Sequence, residues 1–411
     1  MTMWFAQWEV LLPGAILYLY FVKRFRFYRS ETMPSRLGYT NRKAFSRMTV
    51  EDAWKIHNFL VEFEFPTIFS TATMFALFKA YGIPSISSLL CMTGQFSSKD
   101  TVDKRYTDTG CLLLEAVLNP PASPRAIEAI ARINYLHSTY RATGKITDAD
   151  MLYTLSLFAL EPSRWVAKYE WRELTSLEKC AVGTLWKRLG DALGVNFDLL
   201  PGSREGLGRW GGVAGTTGQL ESRVPGCSHG ARTYEQEGCR RDFVPHCVEA
   251  TNEIQAHRKA DSRGDSGGKA SRSYDSYLTF IRTFNSIRKF VLLRLTLPRV
   301  RPKKRLPIAA SSGRIHARRY NIQPWYVKPT IVSRCGPAAW RTWLQGGVLP
   351  GDQGDKYFPQ GFIASELGPT TLRECGKEKM EAERQRLESE LTSEIGKCPF
   401  LAQERDQSGL C

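Results

Sequence analysis

The sequence predicts an all-α protein in which an N-terminal transmembrane helix precedes a helical domain interrupted by a low-complexity, disordered segment. Three observations lead to this prediction. An apolar stretch covers residues 4 to 22, helix boundary signals recur between residues 45 and 195, and the composition changes abruptly after Pro201. Alternating strand patterns are scarce, so the spacing of the apolar residues favours helices.

The first 29 residues have the composition of a membrane anchor with a basic flank. The apolar stretch is just long enough to cross a bilayer core, and aromatic residues stand near both of its ends. A run of basic residues begins at Lys23, which predicts a lumenal N-terminus and a cytosolic body. A cleaved signal peptide fits poorly, because signal peptides carry their positive charge before the apolar stretch, whereas the basic residues of this chain follow it. A buried or interfacial helix stays open as an alternative, since polar residues and Pro13 interrupt the run.

Residues 30 to 201 read as the first part of the helical domain. A helix start is signalled by a Ser or Thr whose side chain can accept a backbone amide, followed by an acidic residue three positions later or directly by proline. Such pairs are Thr49 with Asp52, Ser123 with Pro124, Thr147 with Asp150, and Thr175 with Glu178. Helix ends are marked by Gly82 with Pro84, by Gly144 and by Gly194. The spacing therefore predicts successive helices separated by short turns.

The stretch from 202 to 274 is rich in Gly, Ser, Arg and Asp and has few large apolar residues. Such a segment cannot bury enough apolar surface to offset the entropy of ordering it, which predicts disorder. Residues 275 to 373 would then form the basic remainder of the domain. Residues 374 to 411 form a highly charged end, in which helical spacing predicts a solvated terminal helix followed by a tail.

Three motif matches fall inside this low-complexity segment. GLGRWG, beginning at Gly206, fits a dinucleotide fingerprint, but no strand precedes it. GDSGG around Ser266 fits the nucleophile signature of serine proteases, which requires a β-barrel with a separate His and Asp. Zinc-binding side chains occur as well, but their spacing matches no common zinc module: Cys227, His229, Cys239, His246 and Cys247. We assign no site to this segment.

The net charge of +16 is concentrated in one region, because no acidic residue occurs between residues 276 and 351. Basic, aromatic and aliphatic side chains are interleaved in the first half of this region. This composition is typical of a segment that lies on an anionic membrane or contacts nucleic acid, and charge alone does not choose between them. The ten cysteines are scattered through the chain, which favours a reducing compartment.

Several long strings carry a resemblance to a known family. They include EFEFPTIFSTATMFALFKAYGIPSISSLL, AIARINYLHSTYRATGKITDADMLYTL and, later, PWYVKPTIVSRCGPAAWRTWLQGGVLPGDQGDKYFPQGF. In order and over more than half of the chain, they resemble the MpaB-type ER-bound oxygenases of fungi, whose catalytic domain is related to the rubber oxygenases called latex clearing proteins. That family has further helices where this chain has residues 202 to 274. We therefore interpret this segment as translated non-coding sequence or a frame error.

The resemblance implies a b-type haem whose iron is held by one proximal histidine in a helix of the form R-x-x-x-x-H. In this chain the pattern falls on Arg132 and His137. From spacing alone, Ile130, Ile133 and His137 share a helix face that points to the core, where a lone histidine is more often a structural residue than a ligand. With the resemblance, His137 becomes the predicted iron ligand and Arg132 a candidate catalytic residue.

Two further catalytic candidates are Lys79 and Glu64. Lys79 resembles a distal lysine of the related bacterial enzymes, although Ala76 and Ala80 stand where those enzymes have Arg and Thr. Glu64 lies in the aromatic string EFEFP, where apolar surroundings would raise the pKa of its carboxyl and suit it to act as a base. The structural alternatives are a snorkelling lysine at a helix end and a glutamate that serves as a salt-bridge partner.

The resemblance also implies a reaction, a substrate class and a location. The enzyme would cleave a carbon-carbon double bond in the prenyl chain of a meroterpenoid-type intermediate, using dioxygen activated at the haem. A small lipophilic substrate partitions into lipid, which suits a single-pass anchor in the ER membrane, a cytosolic catalytic domain and no nucleic-acid partner. Two alternatives stay open: an inactive, membrane-anchored remnant of the family, and a basic protein that binds anionic lipid or nucleic acid through residues 282 to 319.

Overall fold

The computed structural model of the chain describes residues 2–94, 98–199 and 283–394, except 312, 319, 321, 322 and 374. The predictions for residues 202–274, including the three motif matches and the frame-error hypothesis, lie outside the described residues. Within them, strand structure amounts to β1 (Ile308–Ala309) and β2 (Ile315–His316), which pair antiparallel. The remaining regular structure there is helical, which confirms the all-α prediction.

The helices before the undescribed segment are α1 (Thr2–Arg26), α2 (Tyr28–Arg36), α3 (Val50–Phe59), α4 (Pro66–Tyr81), α5 (Pro84–Met92), α6 (Lys99–Leu118), α7 (Pro124–Ala142), α8 (Asp148–Tyr169) and α9 (Ser176–Ala192). Those after it are α10 (described over 283–294), α11 (Ile331–Cys335), α12 (Pro337–Leu344) and α13 (Lys377–Glu394). Short 3-10 helices occur at Arg42–Arg47, Gly354–Tyr357, Ala364–Glu366 and Thr370–Leu372.

The predicted helix starts are confirmed by their hydrogen bonds. The side chain of Thr49 accepts the amide of Asp52 at 3.1 Å, and reciprocal capping boxes open α8 and α9. The end of α3 differs from the sequence prediction, because the chain widens into a π-helical turn at Leu60–Glu64. The amide of Phe65 donates to the Leu60 carbonyl at 2.8 Å there, just before Pro66 starts α4.

The core is formed where helices pack in pairs: α4 lies along α8, α3 along α9, and α6 along α7. Leu60, Leu152 and Leu157 are among the side chains that are almost completely buried in it. Segments from the last third of the chain complete the same core, since Tyr326 and Phe362 belong to it. The parts before and after the undescribed segment therefore share one hydrophobic core.

The predicted C-terminal helix is present as α13, and most of its residues are exposed, but one face also packs on the body, which the sequence did not predict. It lies against α7, with Leu387 1% and Met380 7% exposed. These two residues are seven positions apart, so they lie on the same face two turns from each other. The side-chain amide of Asn134 on α7 also donates to Glu383 at 2.5 Å. Two apolar positions are enough to dock a helix that is otherwise highly charged.

The predicted anchor lies in α1, whose helix includes Pro13. Among the described residues, no single helix is both long and apolar enough to cross a membrane, although the pair α4 and α5, bent by 79°, meets the requirement by length and composition. The transmembrane helix therefore stays a prediction.

Candidate functional site

His137 is half-buried on α7, near α6. Its Nδ1 atom is shielded from solvent, and no described residue provides a hydrogen bond to it. Burial, followed by the charges of Arg105 on α6 and Arg141 on α7, lowers the pKa of His137 to about 4. The imidazole is therefore neutral near pH 7 and offers a nitrogen lone pair to a metal or an electrophile.

Two other histidines also have a shielded Nδ1 atom without a hydrogen-bond partner among the described residues. His57 on α3 is 4% exposed, and its ring meets that of Phe69 edge-on at 5.9 Å. His316 lies on β2, beside Gly361. An unpartnered nitrogen alone thus does not identify a site. His137 is more open than His57, and two arginines act on it, but Lys328 and Arg314 act in the same way on His316. The motif on α7 is therefore what singles out His137.

The first half of α6 connects the surroundings of His137 to the end of α4. Arg105 acts on His137, and the neighbouring Tyr106 stacks on Phe78 of α4, with ring centroids 6.2 Å apart. Side chains along this part of α6 are half-buried, in contrast to the tightly buried second half of the helix. The first half of α6 therefore lies between the surroundings of His137 and the end of α4, where Lys79 directly follows Phe78.

Lys79 forms an ion pair across the α4–α8 interface. Its Nζ atom lies 3.1 Å from Oε1 of Glu161, whose side chain is 5% exposed. Glu161 also accepts from Arg164 at 3.0 Å and from the indole nitrogen of Trp165 at 3.2 Å. Because Glu161 has these two further donors, Lys79 is the most replaceable member of the cluster.

We expect Lys79→Met to change the free energy of unfolding by less than about 1 kcal/mol, since its pair is partly exposed and Glu161 keeps two donors. Glu161→Gln removes a buried charge from three donors and should cost more, about 2 kcal/mol. Denaturant unfolding of the two variants compares these costs. Equal costs would show that Lys79 contributes more than its ion pair.

Arg132 is fully buried, and its guanidinium contacts the C-terminal part of the chain. Nε donates to the Leu367 carbonyl at 2.9 Å and Nη2 to the Leu372 carbonyl at 2.8 Å. Nη1 donates to the Cys375 carbonyl at 3.3 Å and lies 3.8 Å from Sδ of Met380. These contacts assign Arg132 a positioning role for α7, while its proposed catalytic role stays a prediction.

Glu64 ends the π-helical turn, and its side chain is 7% exposed. Its carboxylate lies 3.6 Å from Arg172, which also binds Glu178 through two contacts of 2.7 and 2.8 Å. Burial raises the pKa of Glu64 despite this arginine, as the sequence predicted. Its charged neighbours differ from those of His137, so the four predicted residues do not form one cluster.

Asp108 is a buried polar residue that sequence analysis did not identify. Its carboxylate accepts from Lys104 at 2.6 Å, from the Tyr326 hydroxyl at 2.7 Å and from the Gly368 amide at 3.0 Å. Lys104 precedes it by one helical turn, which is the sole sequence signal for this pair. The other two partners are more than 200 positions away, so only the fold shows that Asp108 joins α6 to the last part of the chain.

An open surface cavity of about 730 Å³ lies over α11 and α12. It is lined by Cys335, Pro337, Trp340, Arg341, Leu344 and Gln345. None of the predicted site residues lines it, and its walls lack an acidic or histidine side chain. We therefore place the candidate site at His137 and not at this cavity.

Comparison with known proteins gave three curated relatives. The chain is 36% identical over 404 residues to the ER-bound oxygenase MpaB′ of Penicillium brevicompactum, covering 96% of this chain and 95% of that protein. It is 37% identical over 373 residues to the ER-bound oxygenase MpaB of the same fungus, covering 90% of each. A 202-residue match to the ER-bound oxygenase MpaB of Penicillium roqueforti (strain FM164) is 46% identical, covering 49% of this chain and 68% of that protein. No family model and no solved structure matches.

Proposed function

The chain belongs to the MpaB-type family of ER-bound oxygenases, and on this premise we propose that it is a haem-dependent oxygenase acting on a small lipophilic substrate at the ER membrane. The observation that carries the proposal is His137, a neutral imidazole with a shielded, unpartnered nitrogen. It stands in the helix that resembles the haem-ligand helix of related oxygenases. The resemblance of this helix and the neutral imidazole therefore both support His137 as the iron ligand.

The residues around His137 fit a haem. A haem of this type needs one neutral imidazole for its iron, and basic side chains can balance its propionates. His137 provides the first, and Arg105 provides positive charge beside it, whereas Arg141 is already bound to Asp148 and to the Leu193 and Gly194 carbonyls. In the described part of the chain, no group of three or more His, Cys, Asp or Glu side chains could hold a bare metal ion. A porphyrin brings four nitrogen ligands of its own, so a single histidine is sufficient.

The proposed reaction is the oxidative cleavage of a carbon-carbon double bond in a prenyl chain. A haem would supply activated dioxygen, and both oxygen atoms would end in the two carbonyl products, so the net reaction balances without an external reductant. The protein's residues would hold the cofactor through His137, balance its charge, and keep α7 in place through Arg132.

We further propose that the enzyme is held at the ER by a single-pass anchor in residues 4 to 22, with its catalytic domain in the cytosol. The names of the relatives support an association with the ER. The exposed cations Lys23 and Arg24 follow the apolar stretch, and basic residues beside a span favour the cytosolic side. A prenylated substrate would then be concentrated in the membrane that holds the enzyme.

The test is the absorbance spectrum of the detergent-solubilised full chain, expressed with a haem precursor. We expect a Soret band in the wild type that is lost or shifted in His137→Gln, because glutamine has no imidazole to bind the iron. His57→Gln is the matched control, since it also replaces a neutral histidine with an unpartnered Nδ1. It should keep the wild-type band.

Two results would contradict this proposal. If His57→Gln abolished the band and His137→Gln did not, the haem would be bound through α3. If the folded wild type showed no band at all, the chain would be a remnant of the family without a working haem site. Far-UV circular dichroism of each preparation shows whether the protein is folded.

A further inference from the structure

Helix α10 has its apolar side turned outward. Phe284, Ile287 and Phe290 are 59%, 58% and 58% exposed, and they follow each other at helical spacing. Arg288 lies at the flank of this stripe, one turn after Phe284, where it donates to the Tyr169 carbonyl at 2.8 Å and forms a 2.8 Å ion pair with buried Glu170. Lys289 and Leu292, on the side away from the stripe, are half-buried. A helix on an aqueous surface exposes polar residues on its outward side. The outward side of α10 is therefore suited to an apolar environment.

The chain segment at the end of α10 is hydrogen-bonded to α1 and to α2. The Tyr18 hydroxyl donates to the Leu295 carbonyl at 2.9 Å, and Arg29 donates to the Arg299 carbonyl at 2.7 Å. On α1, Ile16 is 60% exposed, so apolar side chains are exposed on this neighbour as well. The end of α10 thus lies beside the end of the predicted anchor.

The charges near this stripe are positive. Arg294, Arg299 and Arg301 are exposed at the end of α10, and Lys23 is exposed on α1. No acidic residue occurs anywhere between 276 and 351. An apolar stripe bordered by exposed arginines matches an anionic lipid leaflet, where the apolar side chains enter the acyl boundary and the cations meet the headgroups.

We propose that α10 lies in the interface of an anionic lipid leaflet, with the side chains of Phe284, Ile287 and Phe290 inserted at the acyl boundary. This membrane contact is separate from the N-terminal anchor. A second copy of the chain is a poorer occupant, because pairing two such faces would bring like charges together. Nucleic acid is also poorer, since phosphate contacts leave the apolar stripe exposed to water. The proposal does not depend on haem binding or on the reaction.

The experiment places the full chain in vesicles that contain a phosphatidylserine with a photoreactive group in its acyl chain. After illumination, mass spectrometry identifies the labelled peptides. We expect label on the peptides of α10, and at least a tenfold loss of that label in Ile287→Glu/Phe290→Glu. The control is Ile331→Glu/Val332→Glu, which adds the same charge at side chains that are 84% and 79% exposed on α11. It should leave the labelling of α10 within twofold of wild type.

Each other outcome overturns the proposal. Absence of label on α10 in the wild type, with or without label on α1, would mean that α10 does not meet the lipid. Equal loss in both double variants would mean that added negative charge weakens binding without a contact specific to α10. If α10 carried no lipid label and an added chemical cross-linker joined the α10 peptides of two chains, α10 would form a dimer interface instead. Labelling that is unchanged when the bulk anionic lipid is replaced by neutral lipid would overturn the assignment of α10 to an anionic leaflet.

Discussion

Replacing Arg132 by methionine is expected to lower the free energy of unfolding by about 3 to 5 kcal/mol and to release the C-terminal segment from α7. Methionine keeps much of the side-chain volume but donates no hydrogen bond. The carbonyls of Leu367, Leu372 and Cys375 would lose the donors that satisfy them in the folded protein. A buried acceptor left without a donor costs about 1 to 3 kcal/mol, and some of these carbonyls will regain water.

Two measurements test this expectation. Thermal unfolding of the detergent-solubilised protein should shift down by about 10 °C, given the size of the domain. Limited proteolysis should cut residues 367–394 in the variant faster than in the wild type. Arg132→Lys should fall in between, because an ammonium keeps the charge but cannot reach carbonyls that are spread around a planar guanidinium.

Arg384→Met is the matched control on α13. Arg384 also forms an ion pair, with Glu381 at 2.7 Å, but its side chain is 41% exposed and its ion pairs lie within α13 itself. Its loss should leave both the melting temperature and the proteolysis pattern unchanged. If Arg132→Met melted with the wild type and kept residues 367–394 protected, the guanidinium would not be what holds this segment.

The consequence for the site follows from the position of Arg132 on the helix. Arg132 and His137 lie five residues apart on α7, and the segment that Arg132 binds covers this helix together with α13. Release of the segment would leave α7 held by α6 and by its hydrogen bonds to the end of α9. Arg132→Met should therefore weaken haem binding without removing the imidazole, in contrast to His137→Gln.

The helix starts were predictable because capping is local. Thr147 with Asp150 and Thr175 with Glu178 are three residues apart, and their reciprocal hydrogen bonds need no other part of the fold. The π-helical turn was not predictable in this way. Glu62 and Glu64 continue a helical pattern, and nothing in the local sequence requires the wider turn at Leu60–Glu64.

The docking of the last helix could not be predicted from composition. Its sequence is mostly charged, and only the contact with α7 shows that Leu387 is 1% exposed. The same holds for Asp108, because its partner Tyr326 is 218 positions away in sequence. Contacts between distant segments decide these positions, and one sequence does not show which distant segments meet.

The candidate site was predicted in part. The R-x-x-x-x-H pattern on α7 singled out His137, and the structure shows a neutral imidazole with a shielded Nδ1 atom there. Its partners Arg105 and Arg141 were not singled out, since arginines on exposed helices are common. Arg132 was chosen for its place in the motif, whereas its contacts depend on Leu367 and later residues that approach α7 only in the folded chain.

Acidification is expected to destabilise the protein through His57, and His57→Gln should remove that contribution. Burial lowers the pKa of His57 to about 4 in the folded chain, from 6.5 when unfolded. The unfolded chain therefore binds the proton more readily. The contribution of the neutral imidazole is fully present above pH 6.5 and is lost as the pH falls from 6.5 to 4, at a cost of about 3 kcal/mol.

The measurement is the difference in unfolding free energy between wild type and His57→Gln at pH 7.5 and at pH 4.5. Carboxylates and His137 titrate in both proteins, so their effects cancel in the difference. The wild type should lose about 2 to 3 kcal/mol more than the variant over this interval. The glutamine side chain of the variant cannot take up a proton, and any cost of placing its amide beside Phe69 is the same at both pH values.

An equal loss in both proteins would mean that His57 reaches solvent and titrates near its ordinary pKa. The packing of α3 against Phe69 on α4 would then be looser than the 5.9 Å edge-on contact indicates.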